Sequence, residues 1–232
     1  MGKAYHPDDL PFSNGSDVSL DDKIASAIKG YGGELAQGGD VYNIAYTEGL
    51  EVYKDDDGLW KATPNDNRNN QFNDTRLLLQ IIAGKAVIVD AWEATTEPSR
   101  FWTENRMNPD GAFHIALGWQ RVWVMGVYHG APALLQARAI AGYRDGNETY
   151  RREGKLYVQD DLGVHHHGGY DLPRVDIGRS SAGCQVGRTT KGHARFMSLL
   201  KSDRRFKEDG SFLFSSTVVP ADAILRSQAR QI

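Results

Sequence analysis

Between Arg76 and Tyr143 the sequence returns again and again to one pattern, a short apolar run followed by a polar break. That pattern limits the fold more than any other feature. Arg76 to Ala83 and Ala86 to Trp92 are rich in Ile, Val and Leu and are separated by Gly84-Lys85. Ala112 to Leu117, Arg121 to Tyr128 and Leu134 to Tyr143 continue the series. Runs of this length, rich in β-branched residues and bounded by turn formers, read as strands. Asp145-Gly146-Asn147 and Glu153-Gly154-Lys155 are turn signals at hairpin spacing, and Ser215 to Val219 reads as a last strand closing the sheet. The expected fold class is mainly β (α+β), with a helical N-terminal segment and one late helix.

The helical readings rest on caps and spacing. Ser19 opens a helix with Asp22 in a capping-box position and Leu20, Ile24, Ala27 and Ile28 on one face; Gly30 and Gly32-Gly33 end it. Asp40 reads as a second N-cap, followed by the short apolar stripe Val41, Ile44 and Ala45 up to Gly49. The late helix is expected from Lys191 to Ser202, capped by Thr190 and burying Ala194, Met197, Leu199 and Leu200. From Lys54 to Thr75 the chain is dominated by Asp, Asn and Gly and reads as a long surface loop. Its Asp55-Asp56-Asp57 run is a solvated turn, because the further carboxylates of a calcium loop are missing. The division follows: residues 1–18 a flexible arm, 19–75 a helical segment packed on the core, and 76–232 the β-rich main domain.

Composition excludes several function classes. With 27 Lys and Arg against 30 Asp and Glu, the net charge is −3, which gives no general electrostatic reason to bind nucleic acid or an anionic membrane. No apolar stretch approaches the roughly 20 residues of a membrane span, so no membrane insertion is expected. Met1 to Pro11 carries Lys3, His6, Asp8 and Asp9 without an apolar core, so no signal peptide is expected. No phosphate loop, dinucleotide fingerprint or zinc knuckle is present, and no cofactor is expected.

The single cysteine, Cys184, cannot form an internal disulfide; it is a small buried hydrophobe or a nucleophile. Upstream lie the consecutive His165, His166 and His167, then Gly168-Gly169. The stretch from His167 to Cys184 is long enough for a strand, a loop and a hairpin-like return that brings imidazole and thiol together. A thiol of ordinary pKa is only a few per cent thiolate at neutral pH, and an imidazole can take its proton and later give it to a leaving amine. Gly183 lets the backbone turn tightly and lets nearby N–H groups face a developing oxyanion. Three adjacent histidines could instead hold a metal. Neighbours on a strand point to opposite faces, so only His165 and His167 could share an ion, and no second cysteine or HExxH pattern supports zinc. In a cysteine hydrolase of another kind, for example an amidase, a third polar group would orient His167, and Asp176, Asp171 and Glu93 are the candidates. Trp92, Trp119, Trp123 and Tyr170 are aromatics that could shape a cleft, although large aromatics mostly fill cores.

His167-Gly168-Gly169 followed by Ile177-Gly178-Arg179-Ser180-Ser181-Ala182-Gly183-Cys184-Gln185-Val186 resembles the L,D-transpeptidase catalytic domain, also called YkuD-like. Asn43-Ile44-Ala45-Tyr46 and Gly192-His193 add a wider likeness to phage and bacterial proteins with a divergent form of that domain. The resemblance implies a β-sandwich or barrel core, Cys184 as nucleophile, His167 as its base, and Gly183 as the glycine that shapes the oxyanion hole. It implies Ser181 as the motif's Ser/Thr and Arg188 as the basic residue after the cysteine. His165, Arg179 and Tyr170 are further candidates for substrate contact. One departure is clear: Ala182 stands where the family carries a second histidine, a role His165 or His166 could assume. The implied substrate is a peptidoglycan stem peptide, attacked to give a thioester that water or an amine resolves. A missing export signal favours cleavage over cross-linking, as in a phage lysin or a virion-associated hydrolase among other virion proteins. The alternatives are cross-linking and a catalytically silent wall-binding or phage structural module.

Overall fold

The computed structural model describes residues 18–226. In chain order the described residues form α1 (Leu20–Gly30), β1 (Gly38–Glu48), β2 (Leu50–Lys54), β3 (Trp60–Pro64), β4 (Asp74–Ile82), β5 (Lys85–Thr95), α2 (Arg100–Glu104), β6 (Ala112–Ile115) and β7 (Gly118–Tyr128). They continue as β8 (Ala131–Gln136), β9 (Ile140–Asp145), β10 (Leu156–Gln159), β11 (His165–Gly168), β12 (Gln185–Gly187), α3 (Thr190–Ser202), α4 (Arg204–Glu208), β13 (Phe214–Pro220) and α5 (Ala221–Leu225). The arm expected over residues 1–18 lies, apart from its last residue, outside the described residues.

Eight strands close a barrel in the order β1-β13-β7-β8-β11-β12-β5-β4. Two of its seams are parallel, β13 with β1 and β11 with β12, and the rest are antiparallel. A three-stranded sheet β10-β9-β6 and the hairpin β2-β3 lie beside it. The mainly-β reading holds. Among the described residues, no helix is long and apolar enough to cross a membrane.

Four expectations are corrected. Val41, Ile44 and Ala45 belong to strand β1, not to a helix capped by Asp40. Ala45 pairs with Leu77 on one side and Thr217 on the other. A strand covered on both faces shows no alternation, so its apolar spacing imitates a helical stripe. The loop expected from Lys54 to Thr75 contains half of the β2–β3 hairpin. Its Asp55 turn is real: Oδ1 accepts the Asp57 and Leu59 amides at 3.1 and 2.8 Å. The division at 75/76 cuts β4, so residues 19–75 supply barrel strands and do not form a separate helical segment. The run from Leu134 to Tyr143 splits between β8 in the barrel and β9 in the small sheet.

Helix α1 follows its caps. Ser19 Oγ accepts the Asp22 amide at 3.2 Å and donates to the Asp22 carboxylate at 2.9 Å. Ile24 and Ile28 are buried on the barrel's outside with Leu77, Leu79, Ile81 and Ile224. Burial of each isoleucine stabilises by about 2–3 kcal/mol. The late helix α3 is capped by Thr189, one residue before the expected cap; Thr189 Oγ1 accepts the Gly192 amide at 3.0 Å.

Contacts across the barrel separate its two faces. Tyr46 on β1 and His166 on β11 lie four places apart around the barrel, yet the phenol oxygen and His166 Nδ1 are 3.2 Å apart. Both therefore point inward. Trp123 of β7, whose ring centroid is 4.2 Å from that of His166, joins them. Successive strand residues alternate, so His165 and His167 face outward.

One end of the barrel holds buried carboxyls: Glu48 closing β1, Asp74 opening β4, and Glu97 just past β5. Arg152 grips Glu48 with two bonds of 2.6 and 3.0 Å. Thr96 Oγ1 lies 2.7 Å from Glu48 and 2.8 Å from Asp74. A hydroxyl has one proton to give, so one of these contacts needs a protonated carboxyl, in keeping with burial raising Asp74. Burial first, then the neighbouring Glu48 and Asp74, pushes Glu97 up to about 8. With the unfolded group near about 4.3, the native state holds the extra proton, and stability falls as pH rises from there through about 8. Glu97→Gln, which mimics the protonated acid, is expected to raise unfolding stability by about 4 kcal/mol at pH 8 and to change little at pH 4. Denaturant titrations of both proteins at the two pH values check this; equal gains at both would place the effect elsewhere.

Candidate active site around Cys184

The parallel seam between β11 and β12 builds the site. His166 pairs with Gln185 and His167 with Val186, so the register sets Cys184 beside His165. Paired residues share a face: His166 and Gln185 point into the barrel, while His165, His167, Cys184 and Val186 lie outside. The hairpin-like return expected between His167 and Cys184 is thus corrected to a parallel crossover. The intervening loop is long enough for one, as parallel strands require. The loop folds over the outer face, where Phe72, Ile177 and Val186 pack around Cys184 with Leu172 at the rim.

The thiol is 7% exposed and is hydrogen-bonded to backbone, not to an imidazole. Sγ accepts the His165 amide at 3.4 Å and approaches the Gly163 carbonyl at 3.7 Å. Burial pushes the Cys184 thiol up to about 11, with the His165 amide opposing. His167 Nδ1 lies 2.8 Å from the Gly168 carbonyl, an acceptor, so Nδ1 carries the proton and Nε2 is a bare base. Burial holds this imidazole down to about 4. The resting pair is therefore neutral thiol and neutral imidazole. The Gly168 carbonyl takes the orienting role for which Asp171, Asp176 and Glu93 were candidates. Asp171 accepts the Thr190 amide, Asp176 accepts from Asn70 and the Gly178 amide, and Glu93 binds Arg188 and Arg174.

The other expected site residues separate into contacts and supports. Ser181 is fully buried; its Oγ accepts the Gly183 amide at 3.1 Å and donates to the Cys184 carbonyl at 2.9 Å. It shapes the turn and does not face substrate. Gly183 has φ +133°, but its own amide is spent on Ser181, so it is not an oxyanion donor. Arg188 is bound to Glu93 and to the Leu172 carbonyl, and Arg179 lies 3.8 Å over the Phe101 ring. Both arginines brace the loop instead of standing free for a ligand. Of the two histidines considered beside Ala182, His166 is inside the barrel and His165 lies on the outer face with Cys184. Tyr170 is 59% exposed, with its ring 6.4 Å from His167. Trp123 is in the barrel core and Trp92 packs on Phe196.

Sequence reasoning missed Tyr128. Its ring lies 4.8 Å from His165 and 5.0 Å from His167, and burial raises its phenol, with Cys184 and Tyr170 as neighbouring charges when ionised. The signal was its parity at the end of β7, which puts it on the same face as His165. A cavity of about 320 Å³ lies beside the loop's ion pairs, lined by Glu51, Tyr53, Trp60, Trp92, Glu93 and Arg174. Neither Cys184 nor His167 lines it, so a reacting carbonyl would not sit there. Among the described residues, no group of three His, Cys, Asp or Glu is placed to share an ion.

No family model, no curated protein and no solved structure matches this chain.

Proposed function

We propose that the protein is a cysteine acyl-transfer enzyme of L,D-transpeptidase-like chemistry that cleaves peptidoglycan stem peptides. The observation that carries this reading is the β11–β12 register. It sets Cys184 on one face with His165 and with His167, whose Nδ1 proton is held by Gly168 so that Nε2 can act as base. The substrate class rests on the resemblance of the His167 and Cys184 segments. In the reaction, Nε2 of His167 takes the Sγ proton as sulfur attacks the amide carbonyl. The imidazolium then protonates the leaving amine, and the thioester is resolved by water. Because the thiol rests uncharged, its proton leaves only when substrate is bound, after Sγ turns from the Gly163 carbonyl toward His167.

The buried thiol with its backbone partners, together with Ala182, favours a second reading, a catalytically silent wall-binding or virion module. Digestion of purified meso-diaminopimelate peptidoglycan separates the two, with muropeptides read by mass spectrometry. Shortened or separated stems that vanish in Cys184→Ala are expected; new dimers instead would make the activity cross-linking. Unchanged muropeptides, with both proteins sedimenting with the wall, would overturn the enzyme reading.

A further inference from the structure

Behind the proposed nucleophile, the barrel interior carries a fixed positive charge with no carboxylate against it. Arg76 on β4 is fully buried and, among the described residues, forms no ion pair. Its Nη1 donates to His193 Nδ1 at 3.2 Å, and His193 Nε2 donates to the Pro132 carbonyl at 2.8 Å, so that histidine is neutral. The guanidinium packs 4.0 Å from the Phe196 ring centroid. Nε and Nη2 have no hydrogen-bond partner among the described residues, and neither do His166 Nε2 or Gln185 Nε2 and Oε1.

These groups form one ring around the inner wall. Arg76 pairs directly with Tyr46 across β1 and β4. Tyr46 touches His166, His166 pairs with Gln185, and Gln185 shares its face with Gly187. A Cβ at Gly187 would collide with Arg76 Nη2, so the glycine is what lets the guanidinium reach over β12. Tyr46 is a protonated phenol, pushed up to about 12 chiefly by burial; we assign its hydroxyl as donor to His166 Nδ1, the tautomer that leaves a hydrogen on His166 Nε2. Arg76 Nε and Nη2, His166 Nε2 and the Gln185 amide nitrogen are all donors, and Gln185 Oε1 is the one acceptor. A donor set around a single positive charge rejects cations, and water alone would leave a buried charge uncompensated.

We propose that the barrel interior binds one monovalent inorganic anion, chloride or an ion of its size, against Arg76, His166 and Gln185. The anion ties β4, β11 and β12 together from inside, while the outer faces of β11 and β12 present His165, His167 and Cys184. This site stands whether or not Cys184 is a nucleophile.

The test is thermal unfolding at fixed ionic strength in sodium chloride, sodium bromide and sodium methanesulfonate, with anomalous diffraction from crystals grown in bromide. A saturating rise in Tm of about 5 °C is expected with either halide over methanesulfonate. A bromide peak should lie within hydrogen-bonding distance of Arg76 and Gln185. Arg76→Met, which keeps the packing and removes the charge, should abolish the halide dependence. Should that variant fail to fold, Gln185→Met and the bromide map decide. Equal Tm in all three salts, or ordered water without anomalous signal at the site, would overturn the proposal.

Discussion

His167→Ala is expected to slow thioester formation on a stem-peptide substrate about 10³-fold, in kcat and with KM little changed. The argument starts from the tautomer. His167 Nδ1 gives its proton to the Gly168 carbonyl at 2.8 Å, so the nitrogen that remains can only accept. Neither adjacent histidine is equivalent: His166 is turned into the barrel, and the His165 ring meets Tyr128 edge-on with its Nδ1 accepting the Gln136 amide at 3.2 Å. His165→Ala is therefore expected to cost less than about 10-fold, within the range of a lost substrate contact. The pH profile supplies a second readout. Burial holds His167 down to about 4 and pushes Cys184 up to about 11, so the competent state is the one with both groups neutral. Activity should rise as pH passes about 4, when the imidazole loses its charge, and stay level through neutrality. A preformed thiolate–imidazolium pair would need the opposite order of the two pKa values. An acid limb above about pH 6, or a loss under 10-fold in His167→Ala, would remove His167 from the base role.

What the sequence made legible was local. Turn residues such as Gly84-Lys85 and Asp145-Gly146 bound runs whose composition suits strands, and Ser19 with Asp22 satisfies a helix start by itself. These signals act over a few residues, and β4, β5, α1 and β13 appear where they say. Barrel closure was not legible, because it depends on pairing between distant segments. The β1–β13 seam joins Ile44 to Ser216, and nothing near Ile44 reports it. Once β1 is covered on both faces its pattern stops alternating, which is why it reads as a short helix. The site shows the same division. His165, His167, Gly183 and Cys184 are marked by type and spacing; the register puts Cys184 beside His165 and on one face with His167, while the thiol's hydrogen bonds go to backbone. Their supports are not marked: the Gly168 carbonyl is a backbone atom with no side-chain signature, and Tyr128 arrives from another strand. Arg188 and Arg179 read as substrate-contact candidates in sequence because their partners, Glu93 and Phe101, lie far away along the chain.

Gly183→Ala should destabilise the fold by about 3 kcal/mol, a fall in Tm of roughly 10 °C for a chain of this size. The φ of +133° at Gly183 lies where an L side chain is strained whatever space surrounds it. The space is also absent. An added Cβ would lie 2.7 Å from the Phe113 carbonyl oxygen and 3.1 Å from Phe113 Cβ. Phe113 cannot withdraw, because it is buried in β6 and paired with Arg144 of β9. The loop cannot withdraw either without breaking the Ser181 bonds to the Gly183 amide and the Cys184 carbonyl. Gly168→Ala is the matched control: its φ is not in the positive region, and a Cβ there would meet only His193, at 3.4 Å or more. It should change Tm by less than about 2 °C. Thermal unfolding of the two variants beside the unmodified chain decides, and equal shifts would show that the turn before Cys184 is not held in this conformation. The contact also explains what the small sheet does for the site. Phe113 presses from β6 on the residue immediately before Cys184, so the β10-β9-β6 sheet sets where that thiol sits even though none of its strands belongs to the barrel. Gly183→Ala should therefore displace the thiol as well as lower Tm. On the proposed reaction, its loss of activity should exceed the loss of folded protein at the assay temperature.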